Sequence, residues 1–251
     1  MTRRNLQEIE KIDRSCGLVR TILSELEAMV QPGITTAELD RHAELRSKEA
    51  GGQPAFKGYM GYPASLCVSV NDEIVHGIPG DRVICPGDLV SLDFGVLLDG
   101  YYGDSAITVA VPPVKPEDER LSRVTRESLL RAVQEVRPGK HLNDIGHAVE
   151  AHASSAGFGV VREFVGHGIG TRLHEDPQVP NYGKAGSGPK LPEGVVLAIE
   201  PMITAGSPAV KVLEDNWTAV TRDGSRAAHW ELVVAATADG PRVLGGPVNW
   251  N

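Results

Sequence analysis

Apolar residues at Ile9, Ile12, Cys16, Val19, Leu23, Leu26 and Val30 recur every three or four positions, which predicts an amphipathic helix stopped by Pro32-Gly33. Thr35 followed by Glu38 has the form of a capping box and predicts a second helix running to Gly51-Gly52. Further on, the pattern changes to short apolar runs that read as strands, among them Leu89-Val90-Ser91-Leu92, Val195-Val196-Leu197-Ala198-Ile199 and Leu232-Val233-Val234. The helix pattern then echoes itself. Val30-Gln31-Pro32-Gly33 returns 106 residues later as Val136-Arg137-Pro138-Gly139, and Ala50-Gly51 returns at the same offset as Ala156-Gly157. His76-Gly77-Ile78 is echoed by His167-Gly168-Ile169 at a shorter offset, and Leu89 to Asp93 resembles Val196 to Glu200 in pattern. The expectation is an α/β (α+β) chain forming one domain over 1–251. Its two similar halves, roughly 1–111 and 117–251, would each pair helices with antiparallel strands and meet at a central site. Pro112 to Glu119, rich in Pro and charge, reads as a surface connection between the halves, and Tyr182 to Pro192 as an exposed loop.

Charged residues interrupt the apolar runs at a few places. Asp93 ends one run, Glu200 ends another, Glu231 leads into a third, and His167 lies inside Gly166-His167-Gly168-Ile169-Gly170. Buried carboxylates are rare unless they are paired or bind a metal. Asp104 joins the set through the segment Gly95 to Tyr101, in which Asp99-Gly100 is a favoured hairpin turn. A two-residue loop at Asp99-Gly100 puts Asp104 diagonally from Asp93 on one sheet face, whereas a loop at Leu98-Asp99 puts them directly opposite. Side chains alternate with period two, so both registers bring the carboxylates together. Four carboxylates and one imidazole suit two hard or borderline divalent ions, which can polarise a carbonyl and hold a hydroxide nucleophile. The ligand set accommodates Co, Mn, Fe or Zn without choosing among them.

Composition narrows the class. A chain of 251 residues with 41% apolar content can bury a sizeable core. Its net charge of −8 argues against a nucleic-acid footprint. The charged start, Met1 to Glu10, leads into a helix pattern rather than a signal peptide, and no apolar run approaches a membrane span. Three scattered cysteines suit neither a disulfide framework nor a cysteine-based zinc site. The default expectation is a soluble, cytoplasmic monomer. A zinc helix of the HExxH type is not formed around His174, because Asp176-Pro177 follows it.

Several motifs together resemble the methionine aminopeptidases. They are Phe164-Val165-Gly166-His167-Gly168-Ile169-Gly170, His174-Glu175-Asp176-Pro177, Ala198-Ile199-Glu200-Pro201-Met202, Val70 to Pro79, and Leu92-Asp93-Phe94-Gly95. The resemblance covers nearly the whole chain and implies the pita-bread fold. The 31 residues from Glu200 to Glu231 leave no room for the helical insertion of type II enzymes, so the chain is similar to type I. The expectation is a member without the extra N-terminal zinc-binding segment of the eukaryotic cytosolic enzymes. By resemblance, Asp93 would chelate one of two metals, Asp104 and Glu231 would bridge both, and His167 and Glu200 would complete the other. Glu200 would also carry the proton of the bridging water. His76 and His174 would contact substrate, His174 stabilising the oxyanion. Phe56, Tyr59, Tyr62, Cys67, Leu173 and Trp217 would line the methionine pocket, where aromatic rings suit a flexible thioether. The implied activity is removal of N-terminal methionine from nascent chains, with the ribosome as the place of encounter.

The chain departs from the family at four positions. Phe56 stands where bacterial members often carry cysteine, and Leu173 where phenylalanine is common. Leu232 follows Glu231 in place of histidine, and Val75 precedes His76 in place of cysteine. These changes leave the ligand set whole and bear on side-chain selectivity. Two alternatives stay open. A proline-specific pita-bread peptidase would usually carry Gly where Met202 stands, and a non-catalytic pita-bread binding protein would typically have lost ligands.

Overall fold

The computed structural model describes residues 1–246, so the end of the domain expected over 1–251 lies outside the described residues. Helix α1 (Leu6–Met29) starts where the Asn5 side chain accepts the Glu8 N–H and the Glu8 carboxylate accepts the Asn5 N–H. Its buried stripe contains Ile9, Ile12, Cys16, Val19, Leu23 and Leu26, with Ile22 added, and Val30 forms the C-cap. Helix α2 (Thr36–Glu49) is capped by Thr35 and Glu38 in the reciprocal manner the sequence predicts. Helix α3 (Pro116–Val133) packs against α4 (Leu142–Ser155). Helices α2 and α4 begin 106 residues apart, the offset of the sequence echo.

One expectation fails here. The tract Pro112–Glu119 is a connection only as far as Lys115, because Pro116 opens α3. Proline at the first helical position has its φ preset, and Glu117, Asp118 and Glu119 face the positive end of the helix dipole. The features that suggested a loop are those of a helix start.

Among the described residues, four sheets carry the strands. In the first, β4 (Leu89–Leu98) pairs along one edge with both β1 (Gln53–Pro54) and β2 (Cys67–Val70), and along the other with β5 (Tyr101–Ala110). A second sheet orders β15 (Gly240–Val243), β14 (Leu232–Thr237), β9 (Val196–Ile199), β7 (Gly166–Gly168) and β8 (Glu175–Val179), all antiparallel. Two small sheets complete the frame. One is β13 (Ala227–His229), β10 (Met202–Thr204) and β6 (Gly159–Val160), and the other is β11 (Val210–Val212), β12 (Ala219–Thr221) and β3 (Glu73–Val75).

Helix α1 lies across β4 and β5, so β4 is buried on both faces and reads as a near-continuous apolar run. From Leu89 to Val96 only Asp93 is incompletely buried, which marks the opening of a site in an otherwise closed strand. The two large sheets join where the Glu231 N–H donates to the Ala106 carbonyl at 2.9 Å and the Ser105 hydroxyl donates to the Glu231 carbonyl at 2.7 Å. The main core runs from the α1 and α2 stripes through Leu92, Phe94 and Val96 to Leu197, Ile199 and Leu232. A second cluster, which includes Phe56, Tyr62, Cys67 and Leu173, surrounds the space in front of Asp93.

Candidate metal centre and its cavity

The β4–β5 hairpin turns at Asp99-Gly100, both residues having positive φ (51° and 80°), as a tight hairpin turn requires. Leu98 pairs with Tyr101, Gly95 with Asp104, and Asp93 with Ala106. Of the two registers open to the sequence, the diagonal one is therefore realised. Glu200 follows β9 and Glu231 precedes β14, and the pair Ile199–Leu232 brings these carboxylates to the same end of two neighbouring strands. His167 enters from β7, opposite Ala198 of β9. Its flanking glycines permit that approach, since a Cβ on Gly166 would lie 2.3 Å from the Ala198 carbonyl oxygen and one on Gly168 2.5 Å from that of Asp176.

Ligating atoms of Asp104, His167 and Glu231 all lie within 4.8 Å of one another. His167 Nε2 is 3.6 Å from Glu200 Oε1 and 3.9 Å from Asp104 Oδ2. Its Nδ1 lies 2.9 Å from the Gly168 carbonyl, which can only accept, so the proton sits on Nδ1 and the Nε2 lone pair faces the carboxylates. Asp93 lies outside the tight triad and borders the same cavity.

The electrostatics of this cluster are strained without a cation. Burial lifts the Asp93 carboxyl to about 7 and that of Glu200 to about 8. Burial, reinforced by the charges of Asp93 and Glu200, drives Asp104 well above the ordinary carboxylate range. Glu231 is driven the same way by burial and then by Asp104. Burial also depresses the imidazoles, His167 to about 3 and His76 to about 4, and lowers His174 and His229. Asp93 Oδ1, Asp104 Oδ1 and Glu231 Oε1 are buried with no hydrogen-bond partner. Orphaned, mutually repelling oxygens beside the unprotonated Nε2 of His167 fit divalent cations, which would satisfy them together.

A cavity of about 170 Å³ opens onto this cluster. Its lining includes every residue that the sequence reading assigned to the site: the five acidic and imidazole groups above, His76, His174, Phe56, Tyr59, Tyr62, Cys67, Leu173 and Trp217. The rings interlock edge to face, Tyr62 on Trp217 at 5.1 Å and Tyr59 on His174 at 5.1 Å. The Tyr59 hydroxyl is 2.8 Å from His174 Nδ1, which leaves the other ring nitrogen for the cavity. His76 is held at φ 61°, a left-handed conformation costly for a residue with a side chain, and packs edge to face on Phe164.

Sequence reading missed two residues. Met60 borders the cavity mouth although it is 82% exposed, and nothing in the pattern of Tyr59-Met60-Gly61 marks it. His229 is fully buried with Nε2 3.6 Å from Glu200 Oε2 and without a hydrogen-bond partner. Its signal was available, because a residue two before Glu231 along an extended segment shares its face. Thr108 fixes its backbone, accepting the His229 N–H at 3.0 Å and donating to its carbonyl at 2.6 Å.

Comparison with known proteins adds an independent line. The model of metallopeptidase family M24 matches residues 10–238. The chain is 52% identical to methionine aminopeptidase 1 of Bacillus subtilis over 234 residues, covering 93% of this chain and 94% of that protein. It is 47% identical to methionine aminopeptidase 1 of Mycobacterium tuberculosis, covering 96% and 93%. Among solved structures, methionine aminopeptidase from Thermotoga maritima superposes with a TM-score of 0.96 at 43% identity, over 98% of this chain and 100% of that one. An Xaa-Pro dipeptidase from Bacillus anthracis shares the fold, with a TM-score of 0.78 at 20% identity, and this chain spans 63% of its length.

Proposed function

Because the chain belongs to metallopeptidase family M24 and groups within it with the methionine aminopeptidases, we propose that it removes N-terminal methionine from nascent proteins and peptides. One observation carries this reading: a cluster of buried carboxylates and an imidazole stands beside a small cavity walled by rings and one thiol. At about 170 Å³, that cavity has room for one flexible side chain rather than an extended peptide. Tyr59, Tyr62 and Trp217 offer ring faces and edges to a thioether, with Cys67, Phe56 and Leu173 completing the wall.

Asp93, Asp104, His167, Glu200 and Glu231 would hold two divalent ions, Co, Mn, Fe or Zn. Bound there, the metals supply Lewis-acid polarisation of the scissile carbonyl and an acidified water. Glu200, within 3.6 Å of both His167 and His229, would accept a proton and return it to the leaving amine. His174, oriented by the Tyr59 hydroxyl, directs its free ring nitrogen at the developing oxyanion. His76 borders the cavity as a second neutral imidazole and contacts the substrate. The proposed setting is the cytoplasm, as a monomer meeting N-termini as they leave the ribosome. Among the described residues no helix is long and apolar enough to cross a membrane.

The proline-specific reading rests on fold likeness alone, and Met202 stands where those enzymes usually carry Gly. The non-catalytic reading is disfavoured by the intact acidic cluster. The test is an assay on Met-Ala-type and Xaa-Pro peptides with Co²⁺, Mn²⁺, Fe²⁺ or Zn²⁺, before and after chelation. Metal-dependent methionine release is expected. Its absence under all four metals overturns the reading, and preferential Xaa-Pro cleavage replaces it with the alternative.

A further inference from the structure

The segment before α1 buttresses a loop that borders the cavity. Arg4, with a side chain 7% exposed, sets Nη2 at 2.6 and 2.7 Å from the two carboxylate oxygens of Glu175, itself 4% exposed, across 171 residues of sequence. Its Nη1 holds Glu8 of α1 at 3.2 Å, and its backbone N–H donates to the Gly194 carbonyl at 2.8 Å. Arg3 anchors the same segment through its side chain to the Glu193 carbonyl. Glu175 in turn closes the preceding loop, accepting the backbone N–H groups of Thr171 at 3.0 Å and Arg172 at 3.1 Å. Gly170 begins that loop with no room to spare, since a Cβ there would fall 2.3 Å from Arg4 Nη2. Between these anchors the loop presents Leu173 and His174 to the cavity. Burial would raise the Glu175 carboxyl, but the loop N–H groups and the guanidinium outweigh it and hold the group below its ordinary value.

We propose that Arg4 is a positioning residue for His174: through the buried pair with Glu175, the segment before α1 sets the loop that carries this histidine. The inference rests on the reading above only in taking His174 to contact substrate. Arg4 does not line the cavity and acts on the loop through Glu175. Both contacts to Glu175 come from one nitrogen, which a lysine ammonium can reproduce, unlike a fork that needs two. Loss of the cation leaves a buried anion free to recruit other donors and to release the loop.

The test uses the full chain with Arg4→Met, Arg4→Lys, Glu175→Gln and the double variant Arg4→Met/Glu175→Gln. Displacing a reacting group by roughly 1 Å can lower rate by about 100-fold, so Arg4→Met is expected to lower kcat by about 10- to 100-fold. KM and metals bound per chain should stay near wild type. Arg4→Lys should recover most of kcat, and Glu175→Gln on the Arg4→Met background should recover part of it by removing the unpaired charge. Independently of turnover, the imidazole resonances of His174 in histidine-labelled, metal-free protein should move in Arg4→Met and return in Arg4→Lys. Unmoved resonances with unchanged kcat overturn the inference, as does Arg4→Lys failing to restore either. If Arg4→Met does not fold, the Lys and Gln single variants carry the same comparison. Wild-type protein that releases no methionine counts against the proposed function alone, and the metal-free resonances still decide the role of Arg4.

Discussion

Asp104 costs the metal-free protein stability, because its buried carboxylate faces Asp93, Glu200 and Glu231. Asp104→Ala should therefore have opposite effects in the two states. Metal analysis should find fewer ions per chain and methionine release should fall at least about 100-fold. Thermal unfolding in chelator should occur at a higher temperature than for wild type, since a buried like charge is gone. Phe56 and Leu173 sit on one cavity, so the ring gained and the ring lost relative to the family form a near volume-conserving exchange. Methionine should remain preferred, and Phe56→Cys should alter the Met-to-Leu ratio of kcat/KM at constant metal content, within the roughly 1–3 kcal/mol that small shape changes command. A ratio that does not move shows that Phe56 does not select the side chain. At this scale the ionisable cavity groups were largely legible, because a charge inside an apolar run has few explanations. His229 was overlooked although it ends the short apolar run Ala227-Ala228 two residues before Glu231, and Met60 because an exposed apolar residue carries no signal of its own.

At the scale of elements, helices α1 and α2 were written in stripe and cap, while α3 was partly hidden by the proline and charges that begin it. The hairpin left two registers open, and the left-handed pair Asp99-Gly100 selects the diagonal one. This choice can be tested. Gly100→Val should cost about 1 kcal/mol or more in denaturant unfolding, because a branched residue resists φ 80°. Metal content should persist, since the long β4–β5 ladder still pins the register. One residue inserted after Gly100 should instead abolish metal binding if the strand slips, because a shift of one turns Asp104 away and Gly103 inward. Metal retained at full stoichiometry would mean that a bulge absorbs the insertion. The four-sheet arrangement itself was beyond the sequence, since partners such as Ala106 and Glu231 meet across 124 intervening positions by docking rather than by local pattern.

For the whole molecule, the buried ionisable groups predict how stability responds to pH. Folded carboxyls raised to about 7 and 8 at Asp93 and Glu200 stabilise the metal-free fold at low pH and lose that contribution as pH rises through those values. The depressed imidazoles, about 4 at His76 and about 3 at His167, act oppositely, gaining as pH rises to the ordinary histidine value. The two trends oppose each other below a pH of about 6.5, and above it the carboxyls act alone. In chelator, calorimetry should therefore show Tm falling between pH of about 6.5 and about 8.5, and saturating divalent metal should remove the fall. A Tm that rises through this window without metal would contradict the burial of these groups.

The bridge from Glu231 to Ala106 also sets a clock on biosynthesis. Asp93, Asp104, His167 and Glu200 all leave the ribosome before Glu231, and the strand that fixes Glu231, Leu232–Thr237, is later still. At roughly 5–20 residues per second, the segment from Glu200 to Thr237 separates an incomplete ligand set from a complete one by a few seconds of translation. A product cut before Glu231 would expose most of the acidic groups without the last one, and on the proposed ligand set could not hold metal as the longer chain would. Catalytic competence is thereby reserved for molecules in which the strand Leu232–Thr237 has been made and has docked.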